Sequence, residues 1–273
     1  MKPLGRYGLG LRREFLTEID AEGFLPDWWE VTPENWMNMP YHRRDAFEKA
    51  LSLRPAIAHG LSLSIGSTDP LDIAFLGRLK TFFERYNITH YSEHLSFTSL
   101  GGAQSYELLP LPMTESTIKR VVERIHAVQD YLCMPLILEN ATYYYVPKSS
   151  MSENEFISRV LEQSGAKLLL DVNNVYVNSV NHGFDPYAFI DRVDPLHVAY
   201  IHVAGHYDDE ETGLLIDTHG KAVKDEVWEL LEHTLKTINV PMMIERDNYV
   251  PSLQELSLEY NQMKQRCEAV RHG

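Results

Sequence analysis

Short apolar, β-branched and aromatic runs recur along the chain: YGLGLR (7–12), WWEVT (28–32), AIAHGLSLSIG (56–66), THYSEHLSF (89–97), PLILEN (135–140), KLLLDVNN (167–174), VAYIHVAG (198–205) and PMMIERD (241–247). Runs of this length read as strands covered on both faces. Between them the apolar period changes to that of a helix. Residues 70–87 place Ile73, Leu76, Leu79, Phe83 and Tyr86 on one face. Residues 114–132 start at Thr114 as an N-cap and repeat Ile118, Val121, Val122, Ile125, Val128 and Leu132. Residues 152–165 open on the capping-box pair Ser152 and Glu155 and close on Gly165. A further helical stretch covers 225–238.

Eight strands alternating with helical stretches, with no linker between them, predict parallel βαβ units closed into a (β/α)8 TIM barrel, a single α/β domain over 1–273. No GxGxxG follows the first strand and no GxxxxGK[ST] occurs, so nucleotide-binding sheets lose their main support.

The strand ends do not read like strand interiors. Glu30 lies in the second, with Glu34 and Asn35 after it. His59 interrupts the third, Glu93 and His94 fall in the fourth, Glu139 and Asn140 end the fifth, and Asp171, Asn173 and Asn174 end the sixth. His202 and His206 mark the seventh, Asp217 and His219 follow in the long loop after it, and Glu245 ends the eighth. In a barrel all these ends meet on one face, where active sites are built. A lone strand histidine such as His59 reads as a hydrogen-bonded core group, and Tyr143, Tyr144 and Tyr145 as pocket wall or core. His42, His90, His126, His182, His197, His233 and His272 read as structural or surface groups. What matters is the coincidence: nearly every strand carries metal-ligating residue types. Cations are scarce there, Arg246 being the main exception, and carboxylates crowded without cations repel strongly. Imidazole and carboxylate without thiolate suit Fe, Zn or Mn, and the donors outnumber what one ion needs, so two or three ions are expected, with a Glu such as Glu139 able to bridge.

Composition narrows the partners. A formal net charge of −14 argues against nucleic acid or an anionic membrane. Two cysteines, Cys133 and Cys267, make neither a CxxC site nor a disulfide framework, which points to a reducing cytoplasm. The first residues lack a signal-peptide core and no run suggests a membrane span.

The strings PENWM, AHGLSLSIG, YSEHLSF, LILENATYYY, LLLDVNNVYVN, YIHVAGH, IDTHG and PMMIERD resemble the multinuclear non-haem iron-dependent oxidative enzymes. That family was long catalogued as a domain of unknown function and includes the methanobactin biosynthesis oxidase. The likeness runs from about Gly8 to Leu253, without departure at the motif positions. It implies a TIM barrel with two or three irons in mixed ferrous and ferric states. The implied ligands are His59, His94, Glu139, Asp171, Asn174, His202, Asp217, His219 and Glu245, with Glu139 bridging and Asn174, Asp217 and His219 forming a third, weaker site. His206, Asn140 and Asn173 fall behind them, orienting ligands. The implied substrate is a cysteine of a ribosomally made precursor peptide, oxidised with dioxygen and delivered by a leader-binding partner protein.

Two other readings stand beside it. One is a Zn- or Mn-dependent isomerase or phosphodiesterase on the same barrel; the charge opposes DNA, and Lys167 and Lys221 lie at the wrong ends of their elements to act as base. The other is a metal-holding, peptide-binding scaffold without catalysis.

Overall fold

The computed structural model describes residues 3–19 and 23–272. The strands, in chain order, are β1 (Tyr7–Gly10), β2 (Trp28–Val31), β3 (Ala56–His59), β4 (Tyr91–His94), β5 (Phe97–Leu100), β6 (Ala103–Leu109), β7 (Leu136–Glu139), β8 (Lys167–Asp171), β9 (Val198–Val203), β10 (Tyr207–Asp208), β11 (Leu215–Ile216) and β12 (Met242–Ile244). The helices are α1 (Pro33–Trp36), α2 (Tyr41–Leu53), α3 (Ile73–Tyr86), α4 (Glu115–Leu132), α5 (Glu153–Ser164), α6 (Val172–His182), α7 (Pro186–Ile190), α8 (Asp225–Thr234) and α9 (Leu253–His272).

Eight of these strands close a parallel barrel in the order β1-β12-β9-β8-β7-β4-β3-β2. Each of the eight apolar runs read from the sequence supplies one barrel strand, and each strand is shorter than its run. Parallel strands need only a few buried residues before a crossover helix covers them. Two small sheets stand outside the barrel, the β5–β6 hairpin and the β10–β11 pair, both antiparallel. No helix among the described residues is long and apolar enough to cross a membrane.

The helix caps follow the local chemistry. Thr114 accepts from the Thr117 amide and Ser152 from the Glu155 amide. Gly165 closes α5 at φ 70, a left-handed turn that glycine adopts without strain. One run departs from its expectation: the sixth strand stops at Asp171, and α6 begins at the next residue. Asp171 is the N-cap, its Oδ1 2.7 Å from the Asn174 amide. A carboxylate cap stabilises a helix start enough to override the β-branched composition of VNNVYV.

The barrel interior is plugged by a separate apolar cluster of Trp28, Ile57, Ile137, Leu169, Tyr200 and Met243, one from each of six strands. Strand side chains alternate faces, so residue i+2 points the same way as residue i. Two positions beyond the six plug residues stand Glu30, His59, Glu139, Asp171, His202 and Glu245. The layer above the plug is therefore polar by register, and it is the candidate site. β1 adds no ligand type but makes room: a Cβ on Gly8 would lie 2.5 Å from the Trp28 ring. Leu169 is fully buried in this plug, and Leu169→Ala should cost about 2–5 kcal/mol. Urea unfolding checks it; a loss below about 1 kcal/mol would mean the plug collapses around the gap.

Candidate metal centre

Three sets of donor atoms crowd the C-terminal mouth of the barrel, the atoms of each set within 4.8 Å of one another: His59, His94 and Glu139; Glu139, Asp171, His202 and Glu245; and His219, Glu245 and Asp247. Glu139 belongs to the first two sets and Glu245 to the last two. Two carboxylates therefore join three neighbouring positions in a row.

The donors stand at ion-pair distance from one another, and His219 Nδ1 meets Asp247 Oδ2 at 3.2 Å. His202 Nδ1 lies 2.8 Å from Glu245 Oε2, and Glu139 Oε2 lies 3.0 Å from His59 Nε2 and 3.2 Å from His94 Nε2. Yet Glu139 Oε2, Asp171 Oδ2, His202 Nδ1, His219 Nε2 and Glu245 Oε2 are buried without a hydrogen-bond partner. Asp171 Oδ2 stands 3.9 Å from His202 Nδ1 and 4.0 Å from His219 Nε2, whereas the other four approach at hydrogen-bond length without hydrogen-bond alignment. Each such atom costs on the order of 1–3 kcal/mol when left unsatisfied. Five on one cavity is the pattern a shared cation relieves, and the donor set of imidazole nitrogen and carboxylate oxygen fits a divalent first-row metal.

The groups behind the donors fix which nitrogen each ring presents. A buried chain runs from His59 Nδ1 to Ser92 Oγ (2.8 Å), on to the Tyr200 hydroxyl (2.6 Å), which donates to Glu30 Oε2 (2.8 Å), itself 3.0 Å from His202 Nε2. His59 thus turns Nε2 into the cavity and His202 turns Nδ1. His94 Nδ1 faces the Gly60 carbonyl at 3.2 Å, leaving Nε2 for the cavity. Such supporting bonds set tautomer and ring angle, and losing one weakens metal affinity by roughly 10–100-fold. Glu30→Gln should show a loss of that size in a chelator-competition titration; unaltered affinity would place Glu30 outside the ligand-setting network.

All nine candidate ligands of the sequence reading fall around this cavity. Asn174 turns its amide nitrogen to Glu139 Oε1 (2.9 Å), while its oxygen accepts from Thr142 (2.8 Å). Asp217 Oδ1 is 2.7 Å from His219 Nε2. The three orienting residues lie behind the donors. Asn140 clamps the end of β8, donating to the Asp171 carbonyl (3.0 Å) and accepting from its amide (2.9 Å). Asn173 donates to Asp217 Oδ1 (2.8 Å) and faces His206 Nδ1 at 2.7 Å.

Two further groups belong to the centre: Glu30, noted in the sequence only as a strand-end acid and placed here against Tyr200 and His202, and Asp247, which the sequence reading did not single out and which joins His219 and Glu245 in the third set. The cation expected at the strand ends also differs. Arg246 points outward to Glu259 (2.7 Å), whereas Arg12 from the β1 end reaches Asp247 (2.5 Å) and stands 3.7 Å from Glu245. The alternation that aims Glu245 inward forces Arg246 outward.

Burial and charge act against each other on the rings. Burial alone would drive the proton off His94; Glu139 and Glu93 outweigh it and hold the pKa up to about 9. His202 and His219 are likewise held well above the ordinary imidazole value against burial, by Glu245 with Glu30 and by Asp217 with Glu245. Burial lifts the Asp171 carboxyl well above the usual carboxylate range. Without metal, His94, His202 and His219 therefore carry protons at neutral pH, and a metal must displace them. Apparent metal affinity should rise with pH until about 9, with protons released on binding. The His94 contribution to folding of the metal-free protein has the opposite sign. It is complete below about 6.5 and is lost as pH rises through the folded value. Metal titration in weak buffer reads both the affinity and the proton release, and a pH-independent affinity would contradict this.

The mouth opens into a cavity of about 660 Å³, lined by ligand-type side chains at its floor and by Leu61, Glu107, Leu108 and Tyr144 higher up. That size lies within the usual range for ligand sites.

Residues 6–268 match the family described as RiPP precursor modification enzyme MbnB/TglH/ChrH. A UPF0276 protein of Acinetobacter baylyi is 47% identical over 265 residues, covering 97% of this chain and 92% of that protein. A UPF0276 protein of Pseudomonas aeruginosa is 43% identical over 260 residues, covering 94% and 91%. Among solved structures, L-ribulose 3-epimerase superposes with a TM-score of 0.63 at 12% identity, covering 98% of this chain and 96% of that one. Endonuclease IV from Thermus thermophilus does so with a TM-score of 0.59 at 15% identity, covering 97% and 100%. At such identities the structural likeness speaks for the barrel alone.

Proposed function

The chain belongs to the MbnB/TglH/ChrH family of RiPP precursor modification enzymes, and from that premise we propose that it is a multinuclear iron-dependent oxidase acting on a cysteine of a ribosomally made precursor peptide, with dioxygen as oxidant. The observation that carries the proposal is the set of five buried, unpartnered donor atoms converging from five separate segments of chain. Two or three irons would be held, with zinc or manganese as possible substitutes. His59, His94 and Glu139 would hold the first and Glu139, Asp171, His202 and Glu245 the second. His219, Asp217 and Asn174, together with Glu245 and Asp247, would hold the third. When bound, the ions supply a Lewis acid for a substrate thiol and electrons for reducing dioxygen.

The chain's own residues grade the three positions. The side chains of Asp171 and His202 are 0% exposed, those of His219 and Asp217 10% and 13%, and that of Asp247 42%. The third position is thus the one nearest solvent and the one expected to exchange. Burial and the Glu30 carboxylate hold the Tyr200 hydroxyl well above its ordinary pKa, so it stays a donor and orients Glu30 instead of taking a substrate proton. Tyr144, whose hydroxyl accepts from the Asp217 amide at 2.9 Å, braces the outer loop at the cavity wall.

No lysine lines the cavity among the described residues, and Lys167 bonds the Leu196 carbonyl at the opposite end of its strand, which disfavours an isomerase base. The proposal includes a separate leader-binding partner protein. Oxygen uptake by anaerobically iron-loaded protein tests it. Uptake is expected with a cysteine-containing precursor peptide encoded beside this gene and not with its Cys-to-Ala form. Turnover of a sugar without oxygen would favour the isomerase, and iron binding without any turnover the scaffold.

A further inference from the structure

On the outer side of α1, between α2 and α3, lies a groove of about 400 Å³. Its floor is apolar, with Trp36, Met39 and Phe82 buried. Its charged lining consists of Arg44, Arg78 and Arg85, and no aspartate or glutamate lines it. In a chain with 39 acidic and 25 basic residues, that is a local reversal of sign. Arg85 is paired with Glu48 at 2.9 Å. Arg44 and Arg78 have no hydrogen bond or ion pair among the described residues; their guanidiniums sit over the rings of Tyr41 (6.0 Å) and Phe75 (5.6 Å). Arg44 Nε is buried and unpartnered.

The groove adjoins the metal cavity. Trp36 lines both, and on the cavity side Arg13 holds its guanidinium 5.8 Å from the Trp36 ring. Arg13, at a cavity mouth that also carries Glu14 and Asp247, is thus joined through one tryptophan to the arginines of the groove.

We propose that this groove binds an acidic, partly apolar segment of the peptide whose reactive residue enters the metal cavity. The proposal rests on the peptide-modifying reading above and adds the charge of the substrate flank. Guanidinium forks match carboxylates in bidentate pairs, and the apolar floor takes leucine-sized side chains. At physiological salt the fields of distant acids are screened within about 8 Å, so the adjacent arginines govern what the groove accepts. A nucleic acid fits less well, because the groove's tryptophan is buried and offers no face for base stacking.

The test is fluorescence anisotropy of the purified, metal-bearing protein with a labelled ten-residue peptide of glutamate and leucine. Its lysine–leucine counterpart and a labelled single-stranded oligonucleotide serve as comparisons. The acidic peptide should bind, and the double variant Arg44→Gln/Arg78→Gln should bind it roughly tenfold more weakly. Arg192→Gln, on the far side of the barrel, should bind as the parent does. Arg78 is exposed and Arg44 half-buried, and circular dichroism checks that the variants fold. A Kd weaker than about 1 mM, equal binding by the double variant, or preference for the oligonucleotide each overturns the proposal. No turnover is measured, so acidic-peptide binding by a protein without oxidase activity keeps the groove and discards the oxidase.

Discussion

Glu139→Gln should empty the centre of most of its metal and lower peptide oxidation by about a thousandfold. Glu139 is the carboxylate common to the first two donor sets, and its Oε2 is the atom nearest both His59 Nε2 and His94 Nε2. A carboxamide has one weak oxygen donor and no charge, so it cannot bridge two cations or offset their repulsion. Loss of one well-placed ion removes several kcal/mol of transition-state stabilisation, which is about three powers of ten in rate. The barrel should still fold, because the plug beneath Glu139 does not depend on it. Elemental analysis should read no more than about one equivalent in the variant. Retention of the wild-type metal content would show that the bridge is not made there.

Gly205→Ala should act through the backbone of the loop that follows it. A Cβ there would stand 2.2 Å from the Lys221 carbonyl oxygen and 2.5 Å from that of Ala222. Both obstacles are backbone, so the loop from 206 to 224 must move. That loop carries Asp217 and His219, whereas Asp171 and His202 stand on strands. A shift near 1 Å at a reacting centre costs on the order of a hundredfold in rate. The expected result is the loss of the outermost ion alone, with two inner ions retained and activity down about a hundredfold. Unchanged metal content and activity would mean that the loop is positioned by contacts other than this one.

Much of the fold was legible because each barrel strand is a short apolar run ended by polar residues, and that boundary marks the barrel mouth. The ligand-type residues were legible for the same reason, since no satisfied core puts Glu139, Asp171 and Glu245 at the ends of three separate strands. What was missed follows from using strand ends without the alternation inside the strand. Glu30 lies two residues beyond Trp28 and Arg246 one beyond Glu245, so period-two reading admits the first and sends the second outward. Asp247, two residues beyond Glu245, continues the same count past the end of β12 at Ile244.

Among the helices, α9 has a plain sequence signal: Leu253, Leu256, Tyr260, Met263 and Cys267 recur at helical spacing and are all buried. α6 was harder, because VNNVYV favours a strand by composition and becomes a helix only once Asp171 caps it against the packed barrel. The β5–β6 hairpin carried no signal either. Its second strand is largely exposed and its pairing shifts register between Phe97 and Ser99, so no clean alternation appears in the sequence.

Far-separated side chains are expected to hold a row of cations at the mouth of the barrel. Anomalous diffraction at the iron edge, from crystals of anaerobically iron-loaded protein, locates those cations. Two or three peaks are expected, one bounded by His59, His94 and Glu139, the next by Asp171, His202 and Glu245, and the weakest beside His219. A cavity without a peak, with its histidines and carboxylates hydrogen-bonded to one another, would rule out a metal centre there.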